Sequence, residues 1–269
     1  MASRVAQPIL ESKGKKIMTS DETKRKLREM RLNAMVEILE VQEQQPEYQQ
    51  MDFEDKFELI VDGAYARQQS NKLSRLLHSA DFPSIEPALA EIDYLPDRKL
   101  DRKLIQKLAT GNYIREHHNI ILMGASGNGK TWLANALGIE ACRQFYKVKY
   151  VRLPELLDDL AVAKHEANGN FHKILARYKK VDVLIIDEWL LTELSLEQST
   201  YVLELVESRL HQSSTIYCSQ FAPDGWHNKL GNPQIADAIL DRIIHDAYPI
   251  LIQGDKSMRE RYGLRGDSV

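Results

Sequence analysis

The chain predicts an α/β protein in which a five-stranded parallel sheet carries helices on both faces, preceded by a smaller all-helical segment. After Asn119 short apolar runs alternate with helical patterns, the mark of β-α-β units. Before it the apolar residues recur only at helical spacing. Between the first apolar run, Ile120 to Met123, and the helical pattern from Trp132 lies a glycine-rich turn that opens a helix.

Residues 1–18 read as a flexible basic arm, and residues 1–31 hold nine Lys or Arg against four acids. Such a run is either a solvated tail and helix face or a contact for phosphates. Thr19-Ser-Asp-Glu22 offers a capping box, and Leu27, Met30, Ala34, Met35 and Leu39 continue one helix to the break at Gln42–Gln50, which contains Pro46. A second helix from about Asp52 carries Phe53, Phe57, Ile60, Ala64, Leu73, Leu76 and Leu77. Pro83 and Pro87 interrupt the next stretch, and Leu100 to Leu108 gives one more short helix. Residues 19–113 thus read as a helical domain with no chemistry of its own, and residues 114–269 as the α/β domain. Its strands are expected at 119–123, 148–152, 181–186, 215–219 and 249–252, with helices near 130–145, 154–165, 171–179, 196–211 and 234–246. Only 17 residues follow Ile252, too few for a helical C-terminal lid.

Composition narrows the function classes. Charged residues at 28% and apolar ones at 43% make an ordinary soluble mixture. No apolar run reaches membrane-span length, and the basic N-terminus lacks the apolar core of a secretory signal. Cys142 and Cys218 make neither a disulfide framework nor a metal site and read as core residues. A cytoplasmic protein is expected. The net charge of −3 does not by itself point to nucleic acid.

Gly124-Ala125-Ser126-Gly127-Asn128-Gly129-Lys130-Thr131 is a complete G-x-x-x-x-G-K-[ST] phosphate loop between a strand and a helix. Its backbone amides and the start of the helix offer donors to phosphate oxygens. Lys130 would reach the β- and γ-phosphates of ATP, and the Thr131 hydroxyl would hold Mg²⁺. Val183-Leu-Ile-Ile-Asp187-Glu188 is an apolar strand ending in two acids, 57 residues beyond Lys130. Such a strand delivers its last residues to the carboxyl edge of the sheet, so Asp187 is expected in the Mg²⁺ shell and Glu188 on the attacking water. Gln220, ending the next strand, either reaches the γ-phosphate or caps the strand. Arg242 either enters a neighbouring subunit's site as an arginine finger, which makes a homo-oligomer necessary, or pairs with Asp246 one turn on.

Taken together these residues resemble the AAA+ P-loop ATPases, and within them the IstB-type helper proteins of insertion sequences, relatives of the DnaC helicase loaders. The likeness covers Phe53-Glu54, Ala66-Arg67, Ile120–Thr131, Leu184–Glu188, Ser219-Gln220 and Ala236–Arg242, and it fits the expected lack of a lid. Gly254 to Arg259 is similar to the family's closing segment, with Arg259 a candidate second phosphate sensor. The sequence departs from the family at Trp189-Leu190-Leu191, where a glycine often stands second after the acids. The resemblance implies ATP binding, assembly on double-stranded DNA, and recruitment or stimulation of a partner transposase. A helicase loader is the alternative on the same fold. A P-loop small-molecule kinase is the alternative from another class, and the Asp187–Glu188 pair with Arg242 speaks against it. Candidate DNA contacts are the basic arm up to Arg31, and Lys164, Lys173 and Arg177 around the Gly169 loop.

Overall fold

The computed structural model describes residues 19–165 and 170–262, so the basic arm and residues 166–169 of the Gly169 loop lie outside it. The chain divides into two compact units between Asn71 and Lys72.

In the first unit, α1 (Asp21–Glu29) starts at Ser20, whose hydroxyl accepts the Thr23 N–H at 3.2 Å. The cap is therefore one residue later than expected, because the Thr19 N–H is taken by Glu43 Oε1 at 2.6 Å. Nor does one helix run on to Leu39. Arg31 turns left-handed (φ 63°), and the Leu32 N–H to Leu27 carbonyl bond closes a Schellman-type ending. The chain then starts afresh as α2 (Asn33–Gln44). Lys24–Glu43 and Arg28–Glu40 pairs, at 2.6 and 2.9 Å, tie α1 to α2. Arg25 and Lys26 pair with Glu29 and Glu22 on α1 itself, so much of its positive charge already faces carboxylates. The third helix, α3 (Phe53–Ser79), crosses the division. Phe53 and Phe57 are exposed and stack on each other at 5.8 Å, and Val36 and Ile60 are the buried apolar side chains among the unit's described residues.

The second unit starts earlier than the expected boundary at 113/114, and the packing explains why. Helices α4 (Arg102–Ala109) and α5 (Asn112–Arg115) belong to the sheet's own core. Ala80, Ile92, Ile105, Leu108, Tyr113 and Ile114 share one buried cluster with strand residues Ile120, Leu122, Val183, Ile185 and Ile216. A segment whose apolar face is spent on the sheet has no separate core of its own.

The sheet comprises β1 (Asn119–Met123), β2 (Val148–Arg152), β3 (Val183–Asp187), β4 (Ser214–Ser219) and β5 (Ala247–Leu251). The strands lie in the order β2-β3-β4-β1-β5, all neighbours parallel. These bounds agree with the expected strands to within two residues. Between them run α6 (Lys130–Arg143), α7 (Leu153–His165), α8 (Asn170–Lys179), α9 (Leu196–Arg209) and α10 (Pro233–Ile244), with α11 (Met258–Tyr262) after β5. Alternation along each strand splits the apolar residues between two faces. Ile120, Leu122, Ile185 and Cys218 face α4 and α6, where Cys142 is also buried. Ile121, Leu184, Ile186 and Tyr217 face the cluster built with α7, α8, α9 and α10. Three layers result. The chain leaves β1 for the far edge strand β2, returns through β3 and β4, and places β5 on the other side of β1. Such a reversal of strand order opens a crevice at the carboxyl edge, and there the candidate site lies.

Candidate functional site

The phosphate loop follows β1 directly. Gly124 has φ 149°, and a Cβ there would lie 2.3 Å from the Ile252 carbonyl oxygen, a backbone atom that cannot yield. Gly129, at φ 88°, closes the loop as the N-cap of α6, and a Cβ on it would lie 3.1 Å from Arg98 Nη2. Glycine is thus required at both ends of the turn. Lys130 is buried, and its ammonium donates to the Gly124 and Ala125 carbonyls at 2.8 and 2.9 Å. Burial lowers its pKa, and the neighbouring Asp187 carboxylate opposes that shift.

The far side of the loop is braced by residues that the sequence did not single out. Arg98 is buried and donates to the Asp93 carbonyl at 2.7 Å and the Asn128 carbonyl at 3.2 Å. Asn128 Nδ2 donates to the Ile252 carbonyl at 3.1 Å, and the Met258 N–H to the Gly127 carbonyl at 2.9 Å. Arg261 pairs with Asp97, and the Tyr262 hydroxyl bonds Asp93 at 2.8 Å, while Arg259 is exposed on α11. The chain after β5 therefore packs against the phosphate loop and against the turn that holds Arg98.

Asp187 ends β3 beside the loop. Its Oδ2 accepts the Thr131 hydroxyl at 2.6 Å and the Tyr150 hydroxyl at 2.9 Å, and its Oδ1 accepts the Glu188 N–H at 2.8 Å. Burial, then the Asp187 carboxylate, pushes the Tyr150 pKa well up, so the phenol remains a donor. Glu188 sits at φ 54° and accepts from Arg152 Nη2 at 2.9 Å, a bond that raises the Arg152 pKa. Tyr150 and Arg152, two apart on β2, thus each touch one of the two adjacent acids. The signal for them was the pairing register, Arg152 opposite Asp187, which no periodicity reveals. Trp189 and Leu190 are buried, and Leu190 takes φ 51°, the left-handed conformation that a glycine would adopt without strain.

Hard oxygen donors from Asp187 and Thr131 fit a magnesium ion, which is commonly held by one or two carboxylates together with substrate phosphates. No three His, Cys, Asp or Glu side chains gather to hold a metal among the described residues. A cation here would draw its remaining ligands from phosphate and water.

Gln220 is exposed, one residue past Ser219, which pairs with Met123 just before the loop. Lys130, Thr131, Asp187, Glu188 and Gln220 are therefore brought to one edge. Arg242 is not among them. It lies near the end of α10, where the Ile243 carbonyl accepts from Asn119 Nδ2 at 3.5 Å, at the start of β1. The length of β1, about 13 Å at the usual strand rise, separates that end from the phosphate loop. The expected pair with Asp246 does not form, because α10 stops at Ile244. Arg242 instead bonds Glu207 on α9 at 3.0 Å and the Ala238 carbonyl at 2.7 Å. Among the candidate DNA contacts, Lys164 pairs with Glu197 at 3.4 Å, whereas Lys173 and Arg177 are exposed one turn apart on α8.

The family model for IstB-like ATP-binding proteins matches residues 25–265. The chain is 34% identical over 244 residues to the y4pL insertion-sequence ATP-binding protein of Sinorhizobium fredii, covering 91% of this chain and 98% of that one. It is 37% identical to the ATP-binding protein of insertion sequence IS1162 from Pseudomonas fluorescens, over 76% of this chain and 87% of the relative. Among solved structures, DnaI is similar at 27% identity and a TM-score of 0.52, with 63% of this chain and 89% of that one covered. AMPPCP-bound DnaA from Aquifex aeolicus shares the fold at 19% identity and a TM-score of 0.54, over 66% of this chain and 54% of that one. With a phosphate loop and paired acids at the carboxyl edge of a β2-β3-β4-β1-β5 sheet, and a family match over most of its length, the chain is an AAA+ P-loop protein and belongs to the IstB-like ATP-binding family.

Proposed function

We propose that this protein hydrolyses ATP at the β1–β3 edge and works as an oligomer on double-stranded DNA, where it recruits or stimulates a partner transposase. The observation that carries the reading is the placement of its charges. The two acids lie beside the phosphate loop, while Arg242 lies at the opposite edge of the same sheet. On this reading the arginine serves a second copy of the chain, not its own loop.

The proposed roles are as follows. Lys130 leaves the Gly124 and Ala125 carbonyls to meet the β- and γ-phosphates, and the loop amides hold the rest of the triphosphate. Mg²⁺ bound by Thr131 and Asp187 would neutralise charge developing on the phosphates. Glu188 takes up the attacking water as general base after leaving Arg152. Gln220 approaches the γ-phosphate from β4, and Arg242 of a neighbouring copy completes the site. A head-to-tail interface of this kind repeats from copy to copy and builds a ring or a spiral.

DNA and transposase come to this reading from the family and from insertion-sequence relatives. Lys173 and Arg177 on α8, together with the basic residues before α1, are the proposed phosphate contacts. They would be largely sequence-independent and salt-sensitive. Such work belongs in the cytoplasm, and no helix among the described residues is long and apolar enough to cross a membrane.

Phosphate release measured with and without duplex DNA tests the enzyme reading. DNA-stimulated hydrolysis is expected, and transfer of phosphate to a small molecule would mean a kinase. Capture by a transposase in preference to a replicative helicase separates this function from helicase loading.

A further inference from the structure

An ionised carboxylate offers about four lone-pair sites. Three at Asp187 are already met, by the Thr131 hydroxyl, the Tyr150 hydroxyl and the Glu188 N–H. The donors come from three directions: the start of α6, the edge strand β2, and the next residue of the chain. Tyr150 is itself well anchored. Its N–H donates to the Ala80 carbonyl at 2.8 Å, it pairs with Ile185 on β3, and its ring packs against the α4–α6 core. A carboxylate gripped in this way cannot rotate freely, and about one acceptor site remains for an incoming group.

We propose that Tyr150 is a positioning residue of the divalent-cation site, fixing the Asp187 carboxylate so that its remaining lone pair meets the cation, or one of its waters, without reorganisation. The inference rests on the reading of Asp187 and Thr131 as the metal-binding pair. Thr131 can give its lone pair to a cation while its hydroxyl still donates to Asp187, so the Thr131 bond alone would let the carboxylate follow the metal. Tyr150 takes no part in cation binding in this arrangement, and its only bond to the site is the one that orients Asp187. Partners of this outer kind typically govern metal affinity by about 10- to 100-fold.

The test is Tyr150→Phe in the full chain, which keeps the packed ring and deletes the hydroxyl. A fluorescent ATP analogue is bound at equilibrium, first in EDTA and then across a Mg²⁺ titration, with Asp187→Asn as the reference variant. Tyr150→Phe is expected to raise the half-saturating Mg²⁺ concentration about tenfold or more while leaving affinity in EDTA and the melting temperature close to the parent's. An unchanged Mg²⁺ midpoint in Tyr150→Phe, with a shifted one in Asp187→Asn, would overturn the role of Tyr150 alone. Equal loss of affinity with and without Mg²⁺ would overturn it too, since a structural defect acts on both. If Asp187→Asn also left the midpoint unchanged, the metal assignment itself would fall.

Discussion

Arg242→Ala separates the two things this arginine can do. In its own chain it holds Glu207 at 3.0 Å, with side-chain exposures of 28% and 50%. A pair that exposed contributes roughly 0–1 kcal/mol, so the variant should melt within a few degrees of the parent. Its own phosphate loop is out of reach, so nucleotide affinity should not change. In a neighbour's site, by contrast, an arginine finger is worth roughly 10³–10⁵ in rate, and DNA-stimulated phosphate release should fall by that order. Mixing sharpens the prediction. Glu188→Gln subunits lack a working base but still present Arg242, and Arg242→Ala subunits keep the base but lack the finger. In a random equal mixture, about a quarter of head-to-tail interfaces join an intact Glu188 to an intact Arg242, so about a quarter of parental turnover should return. Phosphate release from the two variants, separately and mixed, reads this directly. A mixture no more active than its components would refute the shared site. Normal turnover by Arg242→Ala alone would reduce Arg242 to a bridge to Glu207.

Lys130→Ala should lose ATP binding in an equilibrium titration, since it removes the one cation inside the loop; affinity within threefold of the parent would contradict that role. Arg209 is buried and donates to the Tyr178, Val181 and Ser214 carbonyls and to Thr215 Oγ1. Arg209→Met leaves those acceptors bare and should cost about 3–5 kcal/mol, a fall in melting temperature on the order of 10 °C; a small fall would mean that water replaces the guanidinium. Leu190→Gly relieves about 1–2 kcal/mol of left-handed strain but gives up a buried side chain worth roughly 2–5 kcal/mol. Net destabilisation is expected in a denaturant titration, and a more stable variant would show that the strain outweighs the packing.

The strands, the phosphate loop and the Asp187–Glu188 pair were legible in the sequence because each is a local pattern. The short apolar run Val183–Ile186, set 57 residues beyond Lys130 in the third strand of the alternating pattern, fits an interior strand whose last residue falls at the carboxyl edge, and β3 is buried along its whole length. What the sequence hid is what depends on register across the sheet or on where a helix stops. Tyr150 reads as an ordinary strand aromatic until β2 is set beside β3, and Arg152 reads as a surface cation until its opposite number proves to be Asp187. Arg242 and Asp246 have the spacing of a helical pair, yet the helix ends between them and the arginine turns to α9 instead. The unit boundary was misplaced for a related reason: helical periodicity says that residues 102–109 hide an apolar face, not that the sheet is what covers it. The same argument bears on the departure at Leu190. Where the family often places a glycine, Leu190 keeps the glycine-like conformation (φ 51°) and is buried beside Trp189, which packs against Tyr217 and Trp226. The turn that presents Glu188 is therefore held by core packing where a glycine would have left it loose. In this chain the residues that follow the candidate base pack on the sheet face that also carries α9 and α10, the helices on which Glu207 and Arg242 meet.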